Sequence, residues 1–237
     1  METANPHSDA QYVASPSLWW DGLERDAVAP PLETDTTADI AIIGGGYTGL
    51  WTAYFLKQIQ PDLDIALVEA KHIGHGASGR NGGWLMGALE GCDAFTDDSG
   101  MLPLEARQQL TQLVSRAGGI FAKEGIDCDF HHGGCVMAAA RHDAQVARAQ
   151  KMLASFRGLG FGEDDYRWLT ATELSDRIHV ANPGGAVFTP HVARIQPAKL
   201  VTGLARVVKS LGVRVCSNTR TPSDLTTRAS PVTSLAG

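Results

Sequence analysis

The stretch that decides the fold is residues 38–70, ADIAIIGGGYTGLWTAYFLKQIQPDLDIALVEA. An apolar run at 40–43 leads into a turn of three glycines, and an apolar pattern of helical period follows. A second apolar run at 65–68 ends on the acid Glu69. A strand, a glycine turn, a helix and a second strand in this order predict a βαβ unit.

The glycines and the acid of this unit meet the demands of a dinucleotide. Gly44 makes the tight turn, Gly46 lets the backbone approach a pyrophosphate, and Gly49 lets the helix pack closely on the strand. Glu69 follows Gly49 by 20 residues, the usual distance of an acid that binds the adenosine ribose. An ordinary strand–turn–helix without a ligand is the alternative. The acid repels a 2′-phosphate, so NADP is the least favoured dinucleotide.

A glycine-rich loop, KHIGHGASGRNGGW at 71–84, follows the second strand. Five of its 14 residues are glycine, which makes the loop too flexible for a core element unless something fills it. It leaves the carboxyl end of the sheet, where ligands bind in open α/β folds. Ser78, Arg80 and Asn81 offer hydrogen-bond donors to such a ligand. A mobile surface loop is the alternative.

Composition narrows the class of protein. The chain has 237 residues, of which 43% are hydrophobic and 19% charged, as in a globular protein with one large or two small domains. The sequence contains no apolar run near the ~20 residues of a membrane span and no signal-peptide pattern at its start. The net charge of −6 argues against a nucleic-acid surface. We therefore expect a cytoplasmic protein with no nucleic-acid partner and no membrane span.

The cysteines and histidines favour neither a disulfide framework nor a metal centre. The four cysteines are scattered along the chain, at Cys92, Cys128, Cys135 and Cys216. They lack CxxC spacing, so reduced thiols are expected. The neighbours His131 and His132 would point to opposite faces of a strand, which places them poorly for sharing one ion. The sequence therefore predicts no metal site.

Periodicity predicts further helices and strands after the loop. Helices are expected at 103–124, at 143–157, in a short segment capped by Thr170 or Thr172, and at 198–211 between Pro197 and Gly212. Extended segments are expected at 133–140, 185–195 and 213–216. In the polar lead-in, Leu18-Trp19-Trp20 is expected to pack onto the body as an anchor, with an exposed partner site as the alternative.

The motifs together resemble a known family. They are GGGYTGLWTAYFL at 44–56, VEA at 68–70, GASGRNGG at 76–83 and HVARIQPAKLVTGLARVVKSLGVRV at 191–215. This combination resembles the flavin-dependent amine and amino-acid oxidase family that includes glycine oxidase, D-amino-acid oxidase and sarcosine oxidase. The resemblance is closest to its γ-glutamylputrescine oxidase-like branch. It extends from about Tyr12 to Cys216 and covers the N-terminal part of such proteins only.

The resemblance implies an α/β fold with a Rossmann-like FAD-binding βαβ domain and an inserted α+β substrate domain, C-terminally truncated. The implied parts are a lead-in at 1–37, a first FAD segment at 38–100, a substrate-domain portion at 101–190, a return segment at 191–216 and an irregular tail at 217–237. The implied FAD-binding residues are Gly44, Gly45, Gly46, Tyr47, Thr48, Gly49, Glu69, Ala70, Ser78, Gly79, Arg80, Asn81 and Gly82.

The resemblance also implies a reaction. Family members remove a hydride from a carbon that bears an amine and pass it to FAD, and oxygen or another acceptor then reoxidises the flavin. A small-molecule amine is therefore the implied substrate. Arg80 is expected either to place a positive charge near the flavin or to pin the loop.

The chain is shorter than the family's pattern. Members continue well beyond this length, so a truncated product is expected, and no catalytic residue is assigned because most substrate contacts lie in the absent part. His191 either faces a substrate cavity or is an ordinary core or surface histidine. We expect the chain alone to bind FAD weakly or to be poorly stable, since absent strands would leave an open sheet edge.

Two other functions stay open at this level. One is a catalytically inactive FAD-binding fragment, and the other is an NAD-dependent dehydrogenase. The long glycine loop counts against the dehydrogenase, because a domain that binds only NAD usually turns quickly into its next helix.

Overall fold

The structure, a computed structural model, describes residues 17–23, 29–34, 36–88 and 91–220, without the side chains of residues 92 and 93. The outer parts of the predicted lead-in and tail, and the Cys92 side chain, lie outside the described residues. Contacts divide the chain into two units. Unit 1 is Met1–Arg80 with Val201–Gly237, and unit 2 is Asn81–Leu200.

The described chain contains both helices and strands. In order they are β1 Ile40–Ile43, α1 Tyr47–Ile59, β2 Ile65–Val68, β3 Trp84–Met86, α2 Leu104–Lys123, β4 Cys135–Ala140, α3 Asp143–Gly158, β5 Arg167–Leu169, α4 Ala171–Ser175, β6 Pro183–Thr189, β7 Val192–Arg194, α5 Pro197–Ser210 and β8 Arg214–Cys216. Among the described residues, no helix combines the length and apolar character that a bilayer crossing requires.

Unit 1 is built on a parallel three-stranded sheet with the strand order β1–β2–β8. The central strand β2 is buried at all four positions. The outer strand β1 alternates between half-buried and exposed residues, and Ile43 is 62% exposed. Helix α1 packs against β1 and β2. This arrangement brings the start of α1 and the end of β2 to the same edge of the sheet.

Helix α5 leads the chain back to this sheet. Leu204, Ala205 and Val208 of α5 are fully buried. Gly212 follows the helix with a φ of +87°, the left-handed conformation that ends many helices at glycine. Strand β8 then joins β2 in parallel, so the first and last described strands of unit 1 share one sheet.

Unit 2 combines helices with antiparallel strands. Strands β4, β6 and β5 form one sheet with β6 in the middle, and β3 pairs with β7. One core cluster consists of Leu102, Phe161, Tyr166 and Val187, and the Tyr166 ring stacks on Phe156 at 3.8 Å. In the sequence, this α+β unit separates the two chain segments of unit 1. The predicted α/β fold class is confirmed.

The predicted helices and the longer strands are observed within a few residues of their expected ends. Thr170 rather than Thr172 caps α4, and its hydroxyl and the Glu173 carboxylate form a reciprocal capping box. The predicted extended segment at 185–195 consists of two strands, β6 and β7. Strands β3 and β5 were not predicted, because three residues are too few to show a period and both depend on pairing with distant strands.

Candidate cofactor site

The turn between β1 and α1 is shaped by its own backbone. Gly44 has a φ of +104°, which side chains disfavour, and its N–H donates to the Val68 carbonyl at 2.8 Å. Gly49 lies in the first turn of α1. A Cβ atom there would lie 2.2 Å from the Gly44 carbonyl oxygen and 3.1 Å from Cγ2 of Ile42. The close approach of α1 to β1 therefore requires glycine at position 49.

Glu69 joins this turn to the loop that follows β2. Its Oε2 accepts the Gly45 N–H at 2.9 Å, and its Oε1 accepts the Lys71 N–H at 2.9 Å. Bonds to a charged acceptor are stronger than neutral ones. A carboxylate offers about four lone-pair positions, and these bonds occupy two of them. Glu69 thus fixes two loops and keeps the capacity to accept ribose hydroxyls.

The loop at 71–80, here called the cofactor loop, folds back onto the start of α1. Ser78 Oγ accepts the Tyr47 N–H at 2.9 Å, and the Gly74 N–H donates to the Gly45 carbonyl at 2.9 Å. The first-turn N–H groups of a helix have no acceptor within the helix, so Ser78 satisfies one of them. A Cβ atom on Gly46 would lie 2.9 Å from Ser78 Oγ. Glycine at position 46 therefore leaves room for a close approach.

Arg80 holds the cofactor loop from within. Its Nε donates to the His75 carbonyl at 2.7 Å, and residues 77–79 form a single 3₁₀ turn. This contact matches the loop-pinning role, one of the two that the sequence predicts for Arg80. A positive charge near a flavin stays a prediction.

Two histidines of the cofactor loop contact each other. His75 Nδ1 lies 3.2 Å from His72 Nε2, with the rings nearly perpendicular. Burial lowers the pKa of His75 below its usual value, and the neighbours His72, Lys71 and Arg80 lower it further, while Glu69 opposes them. The neutral imidazole is therefore the favoured form of His75.

The arrangement fits the diphosphate of a dinucleotide. No acidic residue lies in the first turn of α1 itself, and the helix N-terminus presents its positive dipole end. The absence of a Cβ atom at Gly46 lets the Ser78 hydroxyl stand at this helix end, where a diphosphate would bind. The Glu69 carboxylate lies at the adjacent position where a ribose would be bound.

The remaining predicted site residues belong to both units. Thr48 and Ala70 are exposed at the ends of the turn and of β2. Asn81 and Gly82 belong to unit 2, where the Asn81 side-chain oxygen accepts the Gly83 N–H at 2.9 Å. The structure therefore brings together the turn, Glu69 and Ser78 within unit 1.

Three residues that contact this centre were not predicted as site residues: Trp20, Ile73 and Gly74. A Cβ atom on Gly45 would lie 2.4 Å from Ile73 Cδ1, so Ile73 packs directly under the turn. A Cβ atom on Gly74 would lie 3.2 Å from Cζ2 of Trp20, so these two residues are also in close contact. The high glycine content of the loop was the available signal, because it indicates that something packs closely on the backbone.

His191 lies in unit 2, in the turn between β6 and β7. Its Nε2 is 3.0 Å from Asp165 Oδ1, and the other Asp165 oxygen accepts the Gly162 N–H at 2.9 Å. Both side chains are largely buried. The contact ties this turn to the 162–166 segment, and a role toward substrate stays a prediction.

The cysteines that the structure describes are free thiols: Cys128, Cys135 and Cys216. Burial raises the pKa of Cys128 to about 11, and Asp127 and Asp129 act in the same direction. Its thiol is therefore protonated and unreactive near neutral pH.

Known proteins are similar to this chain in sequence. Residues 39–234 match the family model DAO, described as FAD dependent oxidoreductase. The gamma-glutamylputrescine oxidoreductase of Escherichia coli (strain K12) is 28% identical over 214 residues, which cover 88% of this chain and 46% of that protein.

Solved structures give the same fold. The L-amino acid deaminase from Proteus myxofaciens has a TM-score of 0.61 at 21% identity, covering 80% of this chain and 40% of that one. The glycine oxidase from Bacillus cereus ATCC 14579 has a TM-score of 0.60 at 22% identity, covering 77% of this chain and 48% of that one.

The chain spans about half the length of the curated relatives it matches. The family match, in contrast, covers most of the chain, from the start of the βαβ unit past β8. FAD is the cofactor of this family, which agrees with the dinucleotide geometry of unit 1. The chain therefore belongs to the DAO family of FAD-dependent oxidoreductases.

Proposed function

We propose that the chain binds FAD at the N-terminus of α1 and serves an oxidoreductase that oxidises a C–N bond of an amine or amino acid to an imine. The observation that carries the proposal is the meeting of Glu69 and Ser78 at one glycine turn. Both side chains bond to backbone N–H groups of that turn, Gly45 for Glu69 and Tyr47 for Ser78.

Each residue has a defined task in this proposal. Gly44 and Gly45 shape the turn, and their N–H groups bond to Val68 and Glu69. Gly46 and the first turn of α1 hold the diphosphate, and the Ser78 hydroxyl donates to its oxygens. Glu69 accepts the ribose hydroxyls and disfavours a 2′-phosphate by its charge. Arg80 keeps the loop closed on the site. The remaining members of the proposed set are Tyr47, Thr48, Gly49, Ala70, Gly79, Asn81 and Gly82.

Bound FAD supplies the acceptor for the hydride that leaves the carbon bearing the amine, and oxygen or another acceptor later takes the electrons. The residues of this chain contribute binding, orientation and a charged environment. An amine or amino acid as the substrate class is supported by the similarity to gamma-glutamylputrescine oxidoreductase and glycine oxidase.

A catalytically inactive FAD-binding fragment is the second candidate. The chain covers 46% of the E. coli relative, and strand β1 has a partner on one side only within the described sheet. Both observations fit a chain that corresponds to the cofactor-binding part of the family's pattern.

Anaerobic reduction of the flavin separates these candidates. FAD-loaded protein is mixed with a panel of primary amines, secondary amines and amino acids, and the flavin absorbance is followed, with 2-hydroxy acids as matched controls. We expect bleaching by at least one nitrogen compound and none by the hydroxy acids. Flavin that no amine bleaches supports the inactive fragment, and bleaching by a hydroxy acid alone contradicts amine oxidation.

A further inference from the structure

The short segment at 17–23 of unit 1 carries a buried tryptophan. Residues Leu18–Trp20 form a 3₁₀ turn in which the Ser17 side chain accepts the Trp19 N–H. Trp20 is 4% exposed, whereas Leu18 of the same turn is 76% exposed. The turn therefore buries the Trp20 side chain and exposes that of Leu18.

The Trp20 indole lies directly on the backbone of the cofactor loop. A Cβ atom on Gly79 would lie 2.8 Å from both Cζ2 and Nε1 of Trp20, and one on Gly74 would lie 3.2 Å from Cζ2. The His72 ring meets the indole edge-on at 4.8 Å between centroids. The absence of side chains at these two glycines lets the indole approach, although the Gly74 carbonyl oxygen and Val201 would lie still closer to the added atoms, at 2.4 Å each.

Trp20 and the α1 N-terminus lie against adjacent residues of the loop. Ser78, whose hydroxyl accepts the Tyr47 N–H, immediately precedes Gly79, against which the indole packs. The loop is rich in glycine and loses much conformational freedom when it is ordered. Trp20 supplies apolar packing that offsets this loss before a ligand arrives.

We propose that Trp20 is a positioning residue for FAD. It holds the cofactor loop against the glycine turn, so that Ser78 stands at the α1 N-terminus before the cofactor binds. The inference rests on the proposed FAD site and adds that the lead-in segment determines its affinity. Trp20 acts through the loop, in particular through Ser78.

The test is titration of FAD into the full-length apoprotein, followed by quenching of flavin fluorescence. Trp20→Ala should weaken FAD binding by about tenfold or more, because the loop must then be ordered by the cofactor. Leu18→Ala removes a large apolar side chain from the same turn at an exposed position and should stay within about twofold. Trp20→Phe keeps a ring over Gly79 and should recover most of the affinity.

A double-mutant cycle separates positioning from general stability. Ser78→Ala should weaken FAD binding several-fold in the wild-type background but by less than about twofold in the Trp20→Ala background. Hydrogen exchange of the apoprotein should accelerate at the Gly74, Gly79 and Arg80 amides in Trp20→Ala, while the β2 amides keep their protection.

The outcomes distinguish this inference from the proposed function. If the wild-type chain does not bind FAD, the proposed site itself is wrong. If the wild type binds FAD and Trp20→Ala binds it equally well, the positioning role is contradicted and the site stands. Additive effects of Trp20→Ala and Ser78→Ala also contradict it. If Trp20→Ala does not fold, the same cycle is run with Trp20→Phe and Trp20→Leu. Equal FAD affinities of the wild type and both of these variants would then overturn the inference.

Discussion

The glycine turn at 44–46 and the cofactor loop at 71–80 meet at the same helix end but are held in different ways. The turn is fixed by its own backbone, through the positive φ of Gly44 and the close contact at Gly49. The loop has one such backbone contact, because a Cβ atom on Gly79 would lie 2.4 Å from the Gly74 carbonyl oxygen, but it is also held by side chains, of which Trp20 comes from a distant part of the sequence. We therefore expect the turn to fail at a single added methyl group, and the loop to weaken in steps as each contact is removed.

The largest effect is expected for Gly49→Ala. The new Cβ atom would lie 2.2 Å from the Gly44 carbonyl oxygen, and a backbone atom cannot swing away as a side chain can. We expect a loss of about 3 kcal/mol in the free energy of unfolding, at the upper end of overpacking effects. Chemical denaturation of the apoprotein measures it.

Gly76→Ala is the matched control for this substitution. Gly76 lies in the cofactor loop with a φ of −74°, and no atom lies within 4 Å of an added Cβ. Its free energy of unfolding should stay within about 0.5 kcal/mol of wild type. An equal loss in both variants would contradict the claim that the contact at Gly49 is responsible.

Glu69→Gln tests the link between the turn and the loop. The amide side chain has a single acceptor oxygen, so one of the two backbone N–H groups, Gly45 or Lys71, would face an NH₂ group instead. We expect a loss of about 2 kcal/mol in the free energy of unfolding. Asp62→Asn, at an exposed site in the same unit, serves as the control. It also removes one charge but leaves the Gly45 and Lys71 N–H groups bonded to Glu69.

Ser78→Ala should have a smaller effect. It removes the acceptor of the Tyr47 N–H, and the loss of a helix-capping oxygen costs about 1 kcal/mol. Hydrogen exchange at the Tyr47 amide should accelerate, while the amides of β2 keep their protection. Unchanged exchange at Tyr47 would show that Ser78 does not cap α1 in solution.

The smallest effect on stability is expected from a change of pH that protonates His75. The pKa of His75 is lowered in the folded chain, so the unfolded chain binds the proton more tightly. The stability of unit 1 is therefore retained above about pH 6.5, the ordinary pKa of histidine, and declines as the pH falls through the lowered pKa. His75→Gln should reduce this decline. An equal pH dependence of the denaturation midpoint in both proteins would contradict the assignment.

Those features of the site that depend on local backbone geometry could be predicted from the sequence. The order of strand, glycines and helix predicts the turn, because these residues act within a few positions of one another. Glu69 lies 24 positions from Gly45 but follows at the spacing usual for this motif. The packing of Trp20 on Gly74 and Gly79 could be predicted only as an anchor with an unknown target, because the contact joins residues more than fifty positions apart.

The prediction of unit 2 from the sequence is likewise limited to features that depend on local patterns. Helices α2 and α3 are long enough for their apolar period to be recognised, and both were predicted. Strands β3 and β5 have three residues each and form because β7 and β6 offer them backbone partners. The contact between His191 and Asp165 likewise depends on the path of a turn that no local pattern describes.

The most direct test of the account is calorimetric titration of the apoprotein with FAD, comparing the wild type with Gly46→Val. Gly46 has a φ of −90°, so valine is compatible with its backbone, but its Cβ atom would lie 2.9 Å from Ser78 Oγ. The side chain would therefore displace the Ser78 hydroxyl and crowd the α1 N-terminus where the diphosphate would bind. We predict one FAD per wild-type chain and an affinity at least about tenfold lower in the variant. Equal affinity in both proteins, or no FAD binding by the wild type, would contradict the account.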